Sequence, residues 1–375
     1  MAKKAALSPK CAVPESILAS DSQSRKGYFK TEGIVTHPRL TEVSEALDLA
    51  LASEANQIIL IPGATGVGKS MVHHRKYEKL EAHYATTLEE NCPEIPVLYE
   101  EVRSPRSKKF EWGAFARSIL IQCVDIGMTR RNLMLSDSSR FPIKEMQKVL
   151  ARKNSEQELM SAMEEAIESR QVRYLFVDEA HHFLLSCRDE YLMNLYMETL
   201  KSISNKGELK LVMDGNYELL RFLEGSGQLA RRTKVINFSP YLASSSGDIE
   251  AFEEAFLSLF AFYPAKLSDG VMGRLEDLFV GSCGCVGILK QWMERALNRA
   301  LNDNRDYVSW KDFEAERLEP IALKRIAKDI RAGEALINSV SMDEVWSILM
   351  GEPEKESKSG STKPGERKPG RDKVA

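Results

Sequence analysis

One eight-residue run limits what this chain can fold into more than any other feature. Gly63-Ala64-Thr65-Gly66-Val67-Gly68-Lys69-Ser70 satisfies the pattern G-x-x-x-x-G-K-[ST]. It follows the short apolar run QIILI and precedes a polar stretch of helical character. Strand, glycine-rich turn and helix start in that order form a phosphate-binding loop. Three glycines let backbone N–H groups converge on phosphate oxygens with no Cβ in the way. The helix that starts at Lys69 brings the positive end of its dipole to the same spot. Lys69 is placed to reach the β- and γ-phosphates, and the Ser70 hydroxyl to ligate Mg²⁺. The nucleotide-binding segment is therefore expected to run from Gly63 to Met71, with ATP and Mg²⁺ as cofactors.

A second apolar run, Tyr174-Leu175-Phe176-Val177, ends in Asp178-Glu179. In a parallel sheet the strand ends gather on one edge, where ligands bind. Asp178 is then the second metal residue beside Ser70, and Glu179 orients or deprotonates the attacking water. His181 and His182 follow at once and read as supporting residues. A third run, LKLVMDGN, offers Asn216 as the polar residue that bridges water or γ-phosphate, with Asp214 as its competitor. A plain turn is a further reading, because Asp, Gly and Asn suit turns on their own account.

Short apolar runs also occur at Pro96–Glu101 and at KVINF, and helical stretches separate the five. This alternation predicts an α/β fold with a five-stranded parallel sheet covered on both faces. Beyond Pro240 the strand-like runs stop, and residues 248–350 read as amphipathic helices. The expected organisation is a flexible arm over 1–30, an α/β ATPase core over 31–242, an α-helical lid over 243–350 and a disordered tail over 351–375. The tail is rich in Lys, Glu, Gly, Pro and Ser and almost free of apolar residues, so it cannot offset its chain entropy.

Fifty-two Lys and Arg against 55 Asp and Glu give a net charge of −3, which excludes a globally basic nucleic-acid coat. Contact with DNA must come from a local patch. The run Arg103-Ser104-Pro105-Arg106-Ser107-Lys108-Lys109 has four cations and no acid, directly after the second strand, and suits phosphate contacts. Arg130, Arg131 and Lys144 are further candidates. No base-reading motif appears, so binding to double-stranded DNA is expected to be largely sequence-independent. Six scattered cysteines without metal-ligand spacing read as reduced thiols of a cytoplasmic protein. No apolar run approaches the roughly 20 residues that cross a bilayer, and no secretory signal is visible.

The segments GATGVGKS (63–70), YLFVDEAHHF (174–183), SGQLARRTKVINFSPY (226–241) and GCVGILKQWMERAL (284–297) together resemble the TnsC / TniB family of AAA+ ATPases that regulate transposition. The last two segments are the more discriminating, since many P-loop proteins share the first two. The resemblance implies an AAA+ P-loop NTPase core with a C-terminal helical lid, and a bacterial, cytoplasmic ATPase. It also implies ATP-dependent assembly into hexameric or heptameric rings or helical filaments around duplex DNA. Its partners would be transposase subunits, together with a target-selection protein or a CRISPR-guided complex. Carried over to this sequence, Lys69 and Ser70 match the Walker A positions, Asp178 and Glu179 the Walker B pair, and Asn216 sensor 1. Arg231 and Arg232 fall where an arginine finger reaches into a neighbouring subunit's ATP, and Lys290 falls near sensor 2, a position more often Arg. Other readings of the same residues are an initiator-like or clamp-loader-like AAA+ protein, a P-loop kinase for a small metabolite, and an ATP-switched binding module with negligible hydrolysis.

Overall fold

Five runs of β-favouring residues form one parallel sheet in the order β2-β3-β4-β1-β5, where β1 is Ile58–Pro62, β2 Val97–Glu101, β3 Tyr174–Asp178, β4 Lys210–Gly215 and β5 Thr233–Val235. The computed structural model describes residues 12–351, except 34, 56, 89–91, 106–108, 130–139, 186, 188–189, 207 and 225–226. Every residue of β1 is buried, as are Leu175–Asp178 in β3 and Leu211–Gly215 in β4. Helices cover both faces of a parallel sheet, which is why these strands read as near-continuous apolar runs and not as alternating ones. Ile58 pairs with Leu211 on one side and with Thr233 on the other, so β1 is an interior strand between β4 and the edge strand β5. The C-terminal ends of β1, β3 and β4 therefore lie side by side, and the motif residues that follow them share one edge.

The covering helices begin where local chemistry starts them. Pro38–Ala52 has proline at its first position, where the missing N–H costs nothing. Glu156–Ser169 starts with a reciprocal capping box between Ser155 and Glu158. Helix Ile143–Ala151 buries Ile143 and Met146 on one side. Trp112–Thr129 and Glu190–Ser204 complete this layer, and Trp112 stacks on Phe183 with ring centroids 5.2 Å apart.

A second core is built from the helices Ser246–Ala261, Leu275–Ser282, Val286–Asn302 and Trp310–Glu316, packed around Phe252, Trp292 and Phe313. Strands do not wholly stop after Pro240, because Lys266–Leu267 pairs in parallel with Tyr307–Val308. Nor is the segment before residue 30 simply a mobile arm, since Ser22–Glu32 is a helix built into this core. Phe29 is fully buried, edge-on to Tyr263 at 4.9 Å. Arg25 is buried beside it, donating through Nε to the Pro264 carbonyl at 2.9 Å and through Nη1 to Asp306 at 2.7 Å.

The chain divides into a unit of residues 1–334 and a second of 335–375, so the helical region expected over 243–350 contributes to both. In the second unit the helix Met342–Leu349 is capped by Ser341, whose hydroxyl accepts the Glu344 N–H at 3.1 Å. The expected disordered tail lies outside the described residues beyond Gly351. Among the described residues no helix is long and apolar enough to cross a membrane.

Candidate nucleotide site

The loop between β1 and the helix Lys69–Thr87 turns on two glycines with positive φ, Gly66 at +81° and Gly68 at +113°. Only glycine adopts these angles without strain, and they point successive backbone N–H groups into one concavity. Ala64 and Val67 are buried behind the loop, while Thr65, Gly66, Gly68, Lys69, Ser70 and Met71 face a cleft of about 540 Å³. The Lys69 ammonium curls over the loop and donates to the carbonyls of Gly63 at 3.0 Å and Ala64 at 2.9 Å. Burial lowers its pKa, and the nearby Asp214 and Glu179 carboxylates act against that shift.

The strand ends bring the acids to this loop. Ser70 donates its hydroxyl to Asp178 Oδ1 at 3.3 Å, so residues 108 apart in sequence meet at the cleft. Asp178 Oδ1 also accepts the Glu179 N–H at 2.7 Å, and Oδ2 accepts the Tyr99 hydroxyl at 2.7 Å. Burial pushes the Asp178 pKa up, but Tyr99, Asp214, His73 and the Glu179 N–H outweigh it and leave the carboxyl below its ordinary range. Glu179 lines the cleft with left-handed backbone (φ +53°), and its Oε2 stands 3.1 Å from His181 Nδ1. That contact is the main reason the Glu179 pKa is lowered. His181 and His182 also line the cleft, and their ring nitrogens and a Glu179 oxygen lie within 4.8 Å of one another. The particular contact of His181 with Glu179 was not named from sequence, where the two histidines read as supporting residues.

The third strand end separates the two rivals for its polar role. Asn216 lines the cleft, with its Oδ1 accepting the Glu218 N–H at 2.9 Å as the cap of a 3₁₀ turn. Asp214 is fully buried beneath, 2.9 Å from the equally buried His73. His73 lies one helical turn after Lys69, an i,i+4 spacing that was available in the sequence.

The segment GCVGILK docks on the loop. The Gly287 N–H donates to the Gly66 carbonyl at 2.8 Å, and a Cβ at residue 287 would stand 2.5 Å from that oxygen. Gly287 and Gln291, four residues apart on one helix face, line the cleft. Lys290 does not, and this corrects the expectation for it. One residue is about 100° around the helix, so its ammonium points away and donates to the Lys30 carbonyl at 2.9 Å, near Glu294.

Arg231 and Arg232 end the short helix Gly227–Arg232, at the start of β5. Thr233 pairs with Ile58, so this end of the sheet is opposite the loop that follows Pro62. Arg232 donates to Gln57 Oε1 at 3.0 Å and Asn205 Oδ1 at 2.6 Å. Arg231 is exposed and has no hydrogen-bond or ion-pair partner among the described residues. Of the basic residues expected to contact DNA, Arg103 and Lys109 flank the β2 loop, whereas Arg106, Lys108, Arg130 and Arg131 lie outside the described residues.

Residues 52–223 match the family described as AAA domain, and the fold is that of an AAA+ P-loop NTPase. Among solved structures the chain is similar to the crystal structure of Cdc6p from Pyrobaculum aerophilum, at 13% identity and a TM-score of 0.42, covering 90% of this chain and 89% of that one. It is also similar to Drosophila ORC bound to DNA, at 12% identity and a TM-score of 0.46, covering 93% of this chain and 87% of that one. No curated protein matches the chain.

Proposed function

We propose that this protein is an ATP-dependent AAA+ regulator of DNA transposition, which oligomerises on duplex DNA and there recruits and activates a transposase. The transposition part of the reading rests on the segments at 226–241 and 284–297, with the resemblance they carry. The nucleotide part rests on geometry. Two positive-φ glycines, a lysine and a helix N-terminus on one side of a cleft suit a triphosphate, and a serine hydroxyl touching a buried aspartate suits a hard divalent cation. Gly63 to Met71 would hold ATP, and Ser70 and Asp178 would hold Mg²⁺, which supplies charge neutralisation at the phosphates. Glu179, fixed by His181 at the cleft wall, takes the proton of the attacking water, and Asn216 positions that water.

The observation that carries the oligomeric reading is the position of Arg231. It starts from the sheet end opposite the loop, and β1 alone spans about 16 Å at roughly 3.3 Å per residue. An exposed arginine there cannot serve its own cleft, but it can reach the cleft of an adjacent copy and stabilise charge on the transferring phosphoryl. Arg232, engaged with Gln57 and Asn205, instead holds the finger's base in place.

A mixing experiment tests this. Lys69→Ala removes the cleft's function but leaves Arg231 intact, and Arg231→Ala does the reverse. Each variant alone is expected to lose ATP turnover on DNA, and a one-to-one mixture is expected to recover part of it. A mixture as inactive as its components would contradict the shared site. Retention of a transposase subunit by the DNA-bound, ATP-loaded oligomer, and not by Lys69→Ala, tests the recruitment reading.

A further inference from the structure

A fully buried imidazole and a fully buried carboxylate stand directly beneath the nucleotide cleft. His73 is carried by the helix that follows the phosphate loop, and Asp214 by the end of β4. His73 Nδ1 is 2.9 Å from Asp214 Oδ1, and neither side chain reaches solvent. The ligating atoms of His73, Asp214 and Asp178 all lie within 4.8 Å of one another, so two carboxyls are packed together in the interior. Tyr99 and Phe176 close the space around the imidazole, with ring centroids 5.6 and 4.9 Å from it. Both nitrogens of His73 and both oxygens of Asp214 are buried without a well-aligned hydrogen bond among the described residues. Burying so many polar atoms imperfectly satisfied is costly, and a hydrophobic pair would pack there without that cost.

We infer that His73 and Asp214 are positioning residues for Asp178, holding its carboxylate toward Ser70 and the cleft. The inference rests on the nucleotide reading above and adds to it a function for two side chains below the cleft. Asp178 receives Ser70, Glu179 and Tyr99 from the cleft side and from β2, and it meets Asp214 on its inner side. If Asp214 were free to turn, the two acids would part, and the nearby Lys69 ammonium would attract it. The His73 imidazole keeps Asp214 on the far side of that choice. Asp178 then has one orientation, the one in which its Oδ1 faces the Ser70 hydroxyl.

The test measures the affinity of a fluorescent ATP analogue with and without Mg²⁺, and takes the ratio of the two dissociation constants as the metal's contribution. His73→Leu removes the contact to Asp214 and is expected to cut that ratio at least tenfold, with metal-free affinity within threefold of wild type. His73→Asn places an amide donor where Nδ1 stands and is expected to restore the ratio to within threefold. If His73→Leu does not fold, His73→Gln takes its place, because its amide reaches the Nε2 position and misses Asp214. A merely structural pair would lower the thermal midpoint and leave the ratio alone. An unchanged ratio in a folded Leu or Gln variant overturns the inference, whereas a wild-type protein that binds no nucleotide overturns the reading on which it rests.

Discussion

Substituting Gly287 with alanine tests whether the helix Val286–Asn302 is seated on the phosphate loop as the geometry indicates. The new Cβ would be 2.5 Å from the Gly66 oxygen and 3.1 Å from its carbonyl carbon, where real Cβ contacts keep at least 3.0 Å. The neighbour is backbone and cannot rotate away, so the helix or the loop must shift by about 0.5 Å or more. That shift strains the Gly287–Gly66 hydrogen bond, worth about 1 kcal/mol. Overpacking of this kind costs about 1–3 kcal/mol, and the helical preference of Ala over Gly returns at most about 1. A net loss of about 1–3 kcal/mol is therefore expected in thermal or urea unfolding. Under the proposed function Gly66 is part of the phosphate cradle, so nucleotide affinity should fall about tenfold for each 1.4 kcal/mol borne by the loop. Gly227→Ala is the control, since nothing lies within 4 Å of a Cβ there, and it should change stability by less than about 0.5 kcal/mol. Wild-type unfolding and wild-type nucleotide affinity in Gly287→Ala would refute the docking.

Three further outcomes are expected. The buried His37 has its pKa lowered to about 4 by burial and by Arg39, so it stays neutral while its unfolded counterpart protonates below about pH 6.5. Stability should drop as pH falls through that window, by up to about 3 kcal/mol from this group, and His37→Phe should flatten the urea-midpoint curve relative to wild type. Arg232→Ala should lower stability by about 1 kcal/mol through the loss of Gln57 and Asn205, whereas Arg231→Ala should leave the thermal midpoint unmoved and lower only turnover. Replacing Arg103, Arg106, Lys108 and Lys109 by Gln should flatten the slope of log K against log salt for duplex DNA by up to about 3.6, at roughly 0.9 per phosphate contact; an unaltered slope would place the DNA interface elsewhere.

The parts of the site that were legible in the sequence are those in which local chemistry dictates the residue. The glycines at 66 and 68 are needed for positive φ, Lys69 and Ser70 start a helix at fixed spacing, and Asp178 ends a buried strand. The strand order is not local, but the alternation of apolar runs with helices restricted it to a parallel sheet, which brought Ser70 to Asp178. What was not legible depended on packing between distant segments. Phe29 and Arg25 look like residues of a polar arm until Tyr263, Pro264 and Asp306 are brought beside them. Lys290 and Gln291 differ only in helical phase, and the phase is set by Gly287 meeting Gly66. The pairing of His73 with Asp214 joins a helix to a strand 141 residues later, and neither residue type signals the other.

Duplex DNA with ATP and without it, imaged by electron microscopy alongside Lys69→Ala, tests the oligomeric site most directly. Wild-type protein should form closed rings or helical filaments around the duplex only with ATP or a non-hydrolysable analogue, with Arg231 of one copy at the Ser70–Asp178 cleft of the next. Protein that remains monomeric on DNA with every nucleotide, or Lys69→Ala that assembles as wild type does, would contradict it.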